Sequence, residues 1–215
     1  MTELVIFDCD GVLVDSEGIG TAVLAKAAVA EGAVISAEDS LRLFRGLKMA
    51  ECVGEIERRL GRRVRETFIA DVRHAQGVAF ERDLQAIAGI HAALAAISIP
   101  VCVASNGPMA KMMHTLKLAN LLGHFEGRIF SAYDVGAWKP DPGLFLHAAR
   151  TLGAEPSRCV VVEDSLAGIR AAHAAGMRVL GYTAGHTDAI SELGAECAEL
   201  LHSMDDLPAR LALLG

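Results

Sequence analysis

Two aspartates, Asp8 and Asp10, flank Cys9 and precede Gly11, directly after the apolar run Leu4-Val5-Ile6-Phe7. At the end of a buried strand, one carboxylate of such a pair can attack an electrophile while the other exchanges a proton with the leaving group. Gly11 permits the tight turn that folds the chain over them. Acidic residues after a strand also serve as plain turn or cap residues, so the pair alone leaves both readings open. A second acidic pair, Glu163-Asp164, ends the run Val160-Val161-Val162. With Asp8 it offers the hard oxygen ligands that an octahedral Mg²⁺ takes together with phosphate and water. The alternative there is a capping Asp164 or Ser165 ahead of the next helix.

Two further stretches could handle an anion. Ser105-Asn106-Gly107 stands where a strand gives way to a helix, so a hydroxyl and unpaired backbone N–H groups could hold phosphate oxygens, although Ser and Asn also start helices for structural reasons. Lys139 lies in Trp138-Lys139-Pro140-Asp141-Pro142, where two prolines stiffen the backbone around a cation able to neutralise an aspartate or a transferring phosphoryl group. A lysine taken singly is usually solvated surface. No GxxxxGK[ST] run supports a P-loop nucleotide hydrolase, the eight histidines show no HExxH spacing, and Gly18-Ile19-Gly20 lacks the strand-turn-helix context of a dinucleotide fingerprint.

These residues need elements to position them. Leu4 to Asp8, Val101 to Ser105, Val160 to Asp164 and Arg178 to Tyr182 read as buried parallel strands. Between them lie helical patterns that open at Pro108, at Asp141-Pro142 and at Ser165, with Gly176 as a stop. The run from Ile90 to Ile97 is one more helix. Strand and helix alternate from about Pro100 onward, which predicts an α/β fold with a doubly wound sheet and a site at the carboxyl ends of its strands. From about Ser16 to Arg82 the pattern is helical and rich in charge, with no convincing strand, which predicts an all-helical insert between linkers near Asp15 and Asp83.

Composition limits the function classes. Of 215 residues, 52% are hydrophobic and only 5% aromatic, as suits helices on a buried sheet. The balance of 20 Lys plus Arg against 27 Asp plus Glu gives −7, which supports neither a nucleic-acid footprint nor a polybasic membrane patch. Five cysteines without a CxxC pair predict a reducing cytoplasm. The apolar stretch after Met1-Thr2-Glu3 stops at Phe7, far short of the about 20 residues of a membrane span, so a soluble, unexported protein is expected.

Taken in order, DxDG, SNG, WKPDP and VVVEDS, each at the end of an expected strand or in the loop after it, resemble the motif series of the haloacid dehalogenase superfamily. The resemblance spans essentially the whole chain and is to the β-phosphoglucomutase-like branch. It implies a Rossmann-like doubly wound parallel core from residues 1–15 and 83–215 and an all-helical cap domain at 16–82. It further implies a Mg²⁺-dependent phosphatase acting on a small phosphorylated metabolite, as a monomer or weak dimer. By position, Asp8 becomes the nucleophile and Asp10 the general acid and base. Ser105 and the Asn106 amide become phosphate binders, and Lys139 the charge stabiliser beside them. Asp8, the Asp10 carbonyl, Glu163 and Asp164 become the metal ligands. In the cap, Arg45 or Lys48 would stand over a sugar or sugar-acid phosphate; the alternative makes both ordinary helix-end cations.

Two departures bear on the outcome. Where the branch's phosphomutases carry a cap histidine this chain has Ser16-Glu17-Gly18-Ile19-Gly20, and where they carry a phosphate-gripping arginine it has Met49. Hydrolysis is then expected over isomerisation by a sugar phosphomutase. A non-catalytic regulator that binds a phosphometabolite is the reading from another class, and would be marked by a missing acid.

Overall fold

The apolar runs become the strands of one parallel sheet because each is buried on both faces and none alternates in polarity. In a computed structural model, which describes residues 1–44, 47–197 and 199–214, the strands are β1 (Leu4–Phe7), β2 (Val101–Ser105), β3 (Ile129–Ser131), β4 (Cys159–Glu163), β5 (Arg178–Tyr182) and β6 (Leu200–Leu201). Their order is β3-β2-β1-β4-β5-β6, and every neighbouring pair is parallel. The order reverses at β1, which pairs with both β2 and β4. Loops leaving the strands there diverge in opposite directions, which opens a crevice at the carboxyl end of β1.

Register decides which side chains meet in that crevice. Phe7 is level with Val103 on one side and Val162 on the other. One residue later, Asp8 is level with Glu163, and its N–H donates to the Val162 carbonyl at 3.0 Å. Ser105, the last residue of β2, stands one step further out.

Among the described residues, β1 is followed by the α-helices α1 (Glu17–Ala30), α2 (Ala37–Phe44), α3 (Met49–Leu60) and α4 (Phe68–Asp83). Further α-helices among these residues are α5 (Ile90–Ala96), α6 (Met109–Leu118), α7 (Ala132–Val135), α8 (Gly143–Thr151), α9 (Leu166–Ala174), α10 (Thr187–Gly194) and α11 (Leu207–Leu213). The residues group into two compact units, Met1–Val14 with Ala86–Gly215, and Asp15–Gln85. Within the first, Val14 pairs with Ala86 in an isolated antiparallel bridge; within the second, the Asp15 N–H donates to the Gln85 carbonyl at 3.0 Å.

Each unit has its own core. In the first, Leu4, Ile6, Cys102, Ala104 and Val161 of the sheet pack with Leu144 and Phe145 of α8 and Ile169 of α9. In the second, Leu24 and Ala28 of α1 pack with Phe44, Ile56, Phe68 and Val72 from the other three helices. All five cysteines are buried free thiols. Among the described residues no helix is long and apolar enough to cross a membrane.

The helix starts differ from expectation by one position at α8. Pro142 is its N-cap, and Asp141 stands one residue earlier, accepting the Gly143 N–H at 2.7 Å. Ser165 caps α9 through Gly168, and Gly176 follows that helix with φ +71°, the left-handed geometry that ends helices. Strands β3 and β6 escaped the sequence reading because three and two residues are too few to show a period.

Candidate active site

Five segments converge at the carboxyl end of the sheet, all in the unit that carries it. The first is the turn after β1. The Gly11 N–H donates to the Val14 carbonyl at 2.9 Å and the Leu13 N–H to the Cys9 carbonyl at 2.9 Å, bending the chain back on itself. Gly11 has φ +79°, and a Cβ there would lie 2.2 Å from Asp164 Oδ2, so no side chain fits. The turn thereby lays backbone directly against the second acidic pair.

Asp8 is only 7% exposed. Its Oδ1 accepts from Lys139 Nζ at 2.5 Å, and the same ammonium donates to Glu163 Oε2 at 2.7 Å and lies 4.8 Å from the Phe145 ring centroid. Burial works against the Lys139 charge, but the two carboxylates outweigh it and hold the ammonium above its ordinary range. For Asp8 the balance falls the other way. Burial pushes its carboxyl up, Lys139 pulls it back, Glu163 and Asp10 add repulsion, and the result is about 7.

Glu163 is fixed from two sides. Its Oε1 accepts from the Asp164 and Ser165 N–H groups, both at 3.1 Å, and from the Ser165 hydroxyl at 2.8 Å, while Oε2 takes Lys139. Ser165 at the same time accepts the Gly168 N–H at 3.1 Å, so the cap of α9 and the anchoring of Glu163 are one structure. A Cβ on Gly168 would sit 1.9 Å from Glu163 Oε2, so the first turn of α9 approaches this closely only because residue 168 is glycine.

The loop after β2 locks onto the Lys139 segment. Asn106 Oδ1 accepts the Lys139 N–H at 2.9 Å, and Asn106 Nδ2 donates to the Lys139 carbonyl at 3.4 Å. Ser131, at the end of β3, donates its hydroxyl to the Gly107 carbonyl at 2.7 Å. Ser105 is 3% exposed and its Oγ accepts the Gly107 N–H at 3.3 Å. A Cβ on Gly107 would lie 3.6 Å from Asp10 Oδ2, which brings this loop beside the second aspartate. On its other oxygen, Asp10 Oδ1 accepts from Lys111 Nζ at 2.8 Å.

Asp8, Asp10, Ser105, Asn106, Lys139, Glu163 and Asp164 are thus gathered in one place. Asn106, expected to act through its amide, uses its side chain to position Lys139. Lys48 belongs to the helical unit, where it precedes α3 and its N–H donates to Glu51 at 2.9 Å. It stands at the N-terminal end of α3. Arg45 lies outside the described residues.

Sequence reasoning assigned no site role to Lys111, Ser131 or Gly168. The signal for Lys111 was available: a cation in the first turn of a helix opposes the helix dipole, and needs another partner.

One oxygen each from Asp8, Glu163 and Asp164 lie within 4.8 Å of one another. Four carboxylates (Asp8, Asp10, Glu163, Asp164) against two ammoniums (Lys111, Lys139) leave this cluster at a formal −2. An all-oxygen set with that excess fits a hard divalent cation.

Two outcomes follow from this geometry. In metal-free protein the raised Asp8 carboxyl retains, up to about pH 7, a proton that the unfolded chain releases near its ordinary value of about 4. Stability therefore falls as pH rises across that window. Melting temperature in chelator should drop from pH 5 to pH 8, and Asp8→Asn should flatten the drop; equal slopes in both proteins would contradict the assignment. Gly168→Ala, which in an exposed helix gains about 1 kcal/mol, should instead cost about 1–3 kcal/mol in urea denaturation because the methyl displaces Glu163.

A family model for haloacid dehalogenase-like hydrolases matches residues 2–176. Over 183 residues, covering 85% of this chain and 83% of the relative, the sequence is 38% identical to a 6-phosphogluconate phosphatase of Escherichia coli strain K12. A haloacid dehalogenase-like protein of unknown function from Agrobacterium tumefaciens strain C58 matches with a TM-score of 0.84 at 35% identity, covering 100% of this chain and 99% of that one. A candidate β-phosphoglucomutase from Thermotoga maritima matches with a TM-score of 0.81 at 26% identity over 100% of both chains. The chain therefore belongs to the haloacid dehalogenase-like hydrolase family and is an enzyme.

Proposed function

We propose that this enzyme is a Mg²⁺-dependent phosphatase that hydrolyses a sugar or sugar-acid phosphate through a phospho-aspartate at Asp8. The observation that carries the reading is Lys139 Nζ, buried and held between Asp8 Oδ1 at 2.5 Å and Glu163 Oε2 at 2.7 Å. A buried carboxylate beside a fixed ammonium is an arrangement for attack on an anion, since the cation offsets the repulsion that grows as oxygen approaches phosphorus.

In the first step an Asp8 oxygen forms a bond to phosphorus as the bond to the ester oxygen breaks, and Asp10 delivers its proton to that departing oxygen. In the second step Asp10 takes a proton from water, the water oxygen bonds to phosphorus, and the Asp8 carboxylate leaves. Ser105 and the backbone N–H groups of its loop are the donors for phosphate oxygens. Asp8, Glu163, Asp164 and the Asp10 carbonyl would hold the metal, which when bound supplies charge neutralisation at the phosphoryl group. Asn106 and Ser131 act through others, by keeping Lys139 and the Gly107 loop in place.

The substrate class rests on relatives. The Escherichia coli relative is named a 6-phosphogluconate phosphatase, and the run Ser105-Asn106-Gly107-Pro108 with Lys111-Met112, together with Trp138-Lys139-Pro140-Asp141-Pro142, resembles that enzyme, which makes 6-phosphogluconate the first substrate to try. Likeness to a candidate β-phosphoglucomutase keeps isomerisation as the second reading, against which stand Met49 and the Ser16 to Gly20 stretch.

The test is phosphate release from sugar, sugar-acid and nucleotide monophosphates, with and without Mg²⁺, for wild type and Asp8→Asn. Strong turnover of a sugar or sugar-acid phosphate with Mg²⁺, reduced at least about a thousandfold in the variant, is expected. A fully active Asp8→Asn would remove the nucleophile, and an isomeric sugar phosphate formed without phosphate release would favour the mutase.

A further inference from the structure

The phosphoryl machinery accounts for Lys139, which is 3% exposed at its side chain and lies between two carboxylates. It does not account for the second lysine. Lys111 Nζ lies 2.8 Å from Asp10 Oδ1, and its side chain is 32% exposed. Asp10 is the group that must touch the ester oxygen of the leaving group, within about 2.6–3.2 Å if it is to pass a proton. An ammonium one hydrogen bond from that carboxylate is therefore close to any leaving group that Asp10 can reach.

The local structure holds it there. Lys111 is the third residue of α6, and its carbonyl accepts the Thr115 hydroxyl at 3.1 Å. That same Thr115 oxygen is 4.0 Å from the thiol of Cys9, the residue between the two aspartates. One face of α6 is thus docked on the Asp8 to Asp10 turn, one helical turn below the lysine. A cation in the first turn of a helix is placed against the helix dipole. Asp10 offsets that unfavourable placement.

We propose that Lys111 is a specificity-determining residue that reads an anionic substituent, a carboxylate, on the leaving group. This inference rests on the phosphatase reading and narrows it to phosphorylated sugar acids or hydroxy acids over neutral sugar phosphates. In the resting site one N–H of the ammonium goes to Asp10 Oδ1. A substrate carboxylate arriving on the leaving group competes for the same donors, so the lysine is shared between the proton-transfer group and the group that marks the substrate. An ammonium can donate to more than one acceptor at once.

The test uses two matched pairs that differ only in the carboxylate. One is 6-phosphogluconate with sorbitol 6-phosphate, its open-chain alcohol. The other is 3-phosphoglycerate with glycerol 3-phosphate. Wild type should prefer the acid within a pair, and Lys111→Met should lower the acid-to-neutral ratio of kcat/KM by about 10- to 100-fold, the range of a charge-assisted hydrogen bond. The change should appear mainly in KM for the acid, and Lys111→Arg should restore much of the ratio. No preference in wild type, or an equal loss on acid and neutral substrate through kcat, would overturn the inference and leave Lys111 as a support for Asp10. Absence of phosphate release from every compound, with wild type folded and Mg²⁺ present, would instead sink the phosphatase reading itself. A melting curve for Lys111→Met separates loss of fold from loss of discrimination.

Discussion

A single ammonium shared by two buried carboxylates is the constraint on which the site depends. Removing a charge from water costs several kcal/mol, and the cost is recovered only when partners are close and their remaining lone pairs are filled. Lys139 meets that condition through Asp8 and Glu163, and Glu163 meets it in turn through the amides and hydroxyl at the start of α9. Each support is itself supported. Asn106 grips the Lys139 backbone at its N–H and carbonyl, and glycine at 168 leaves the room that the Glu163 carboxylate fills. A change anywhere along this chain of contacts reaches the Asp8 carboxylate.

The sheet explains why residues so distant in sequence can be held to such tolerances. Asp8 and Glu163 are 155 positions apart, yet the register of β1 with β4 sets them level across one strand spacing. Buried strands cannot slip without moving whole apolar sets, so the register is fixed by Leu4, Ile6, Val161 and their neighbours in the core. Side chains on strand ends inherit that rigidity, whereas those on loops must be tied down individually, as Ser131 ties the Gly107 carbonyl. The burial that makes the sheet rigid also raises the Asp8 carboxyl, which Lys139 pulls only part of the way back.

Much of this was legible in the sequence, for identifiable reasons. Each long apolar run ending in acid or serine announces a buried strand with a polar tip, and Leu4 to Phe7, Val101 to Ser105 and Val160 to Glu163 do form such strands. Four weak motifs in one order then carried the family. What stayed hidden depends on contacts rather than types. Lys111 looks like any helix lysine until α6 is docked on the Asp8 to Asp10 turn, Gly168 looks like a weak point in a helix until Glu163 is placed beneath it, and β3 and β6 are too short to leave a pattern. Asn106 was legible as polar and useful, but its partner lies 33 residues away and only the fold supplies it.

Attack by Asp8 on phosphorus is the central step of the proposed reaction, and it would leave a chemical trace. Wild-type enzyme turning over a sugar or sugar-acid phosphate can be quenched in acid, reduced with borohydride and mapped by peptide mass spectrometry, which converts an acyl phosphate on aspartate to homoserine. Homoserine at position 8, absent from Asp8→Asn and from substrate-free controls, is the expected result. Steady phosphate release with no homoserine, or with homoserine at Asp10 or Asp164 instead, would contradict the assignment of Asp8 as the nucleophile.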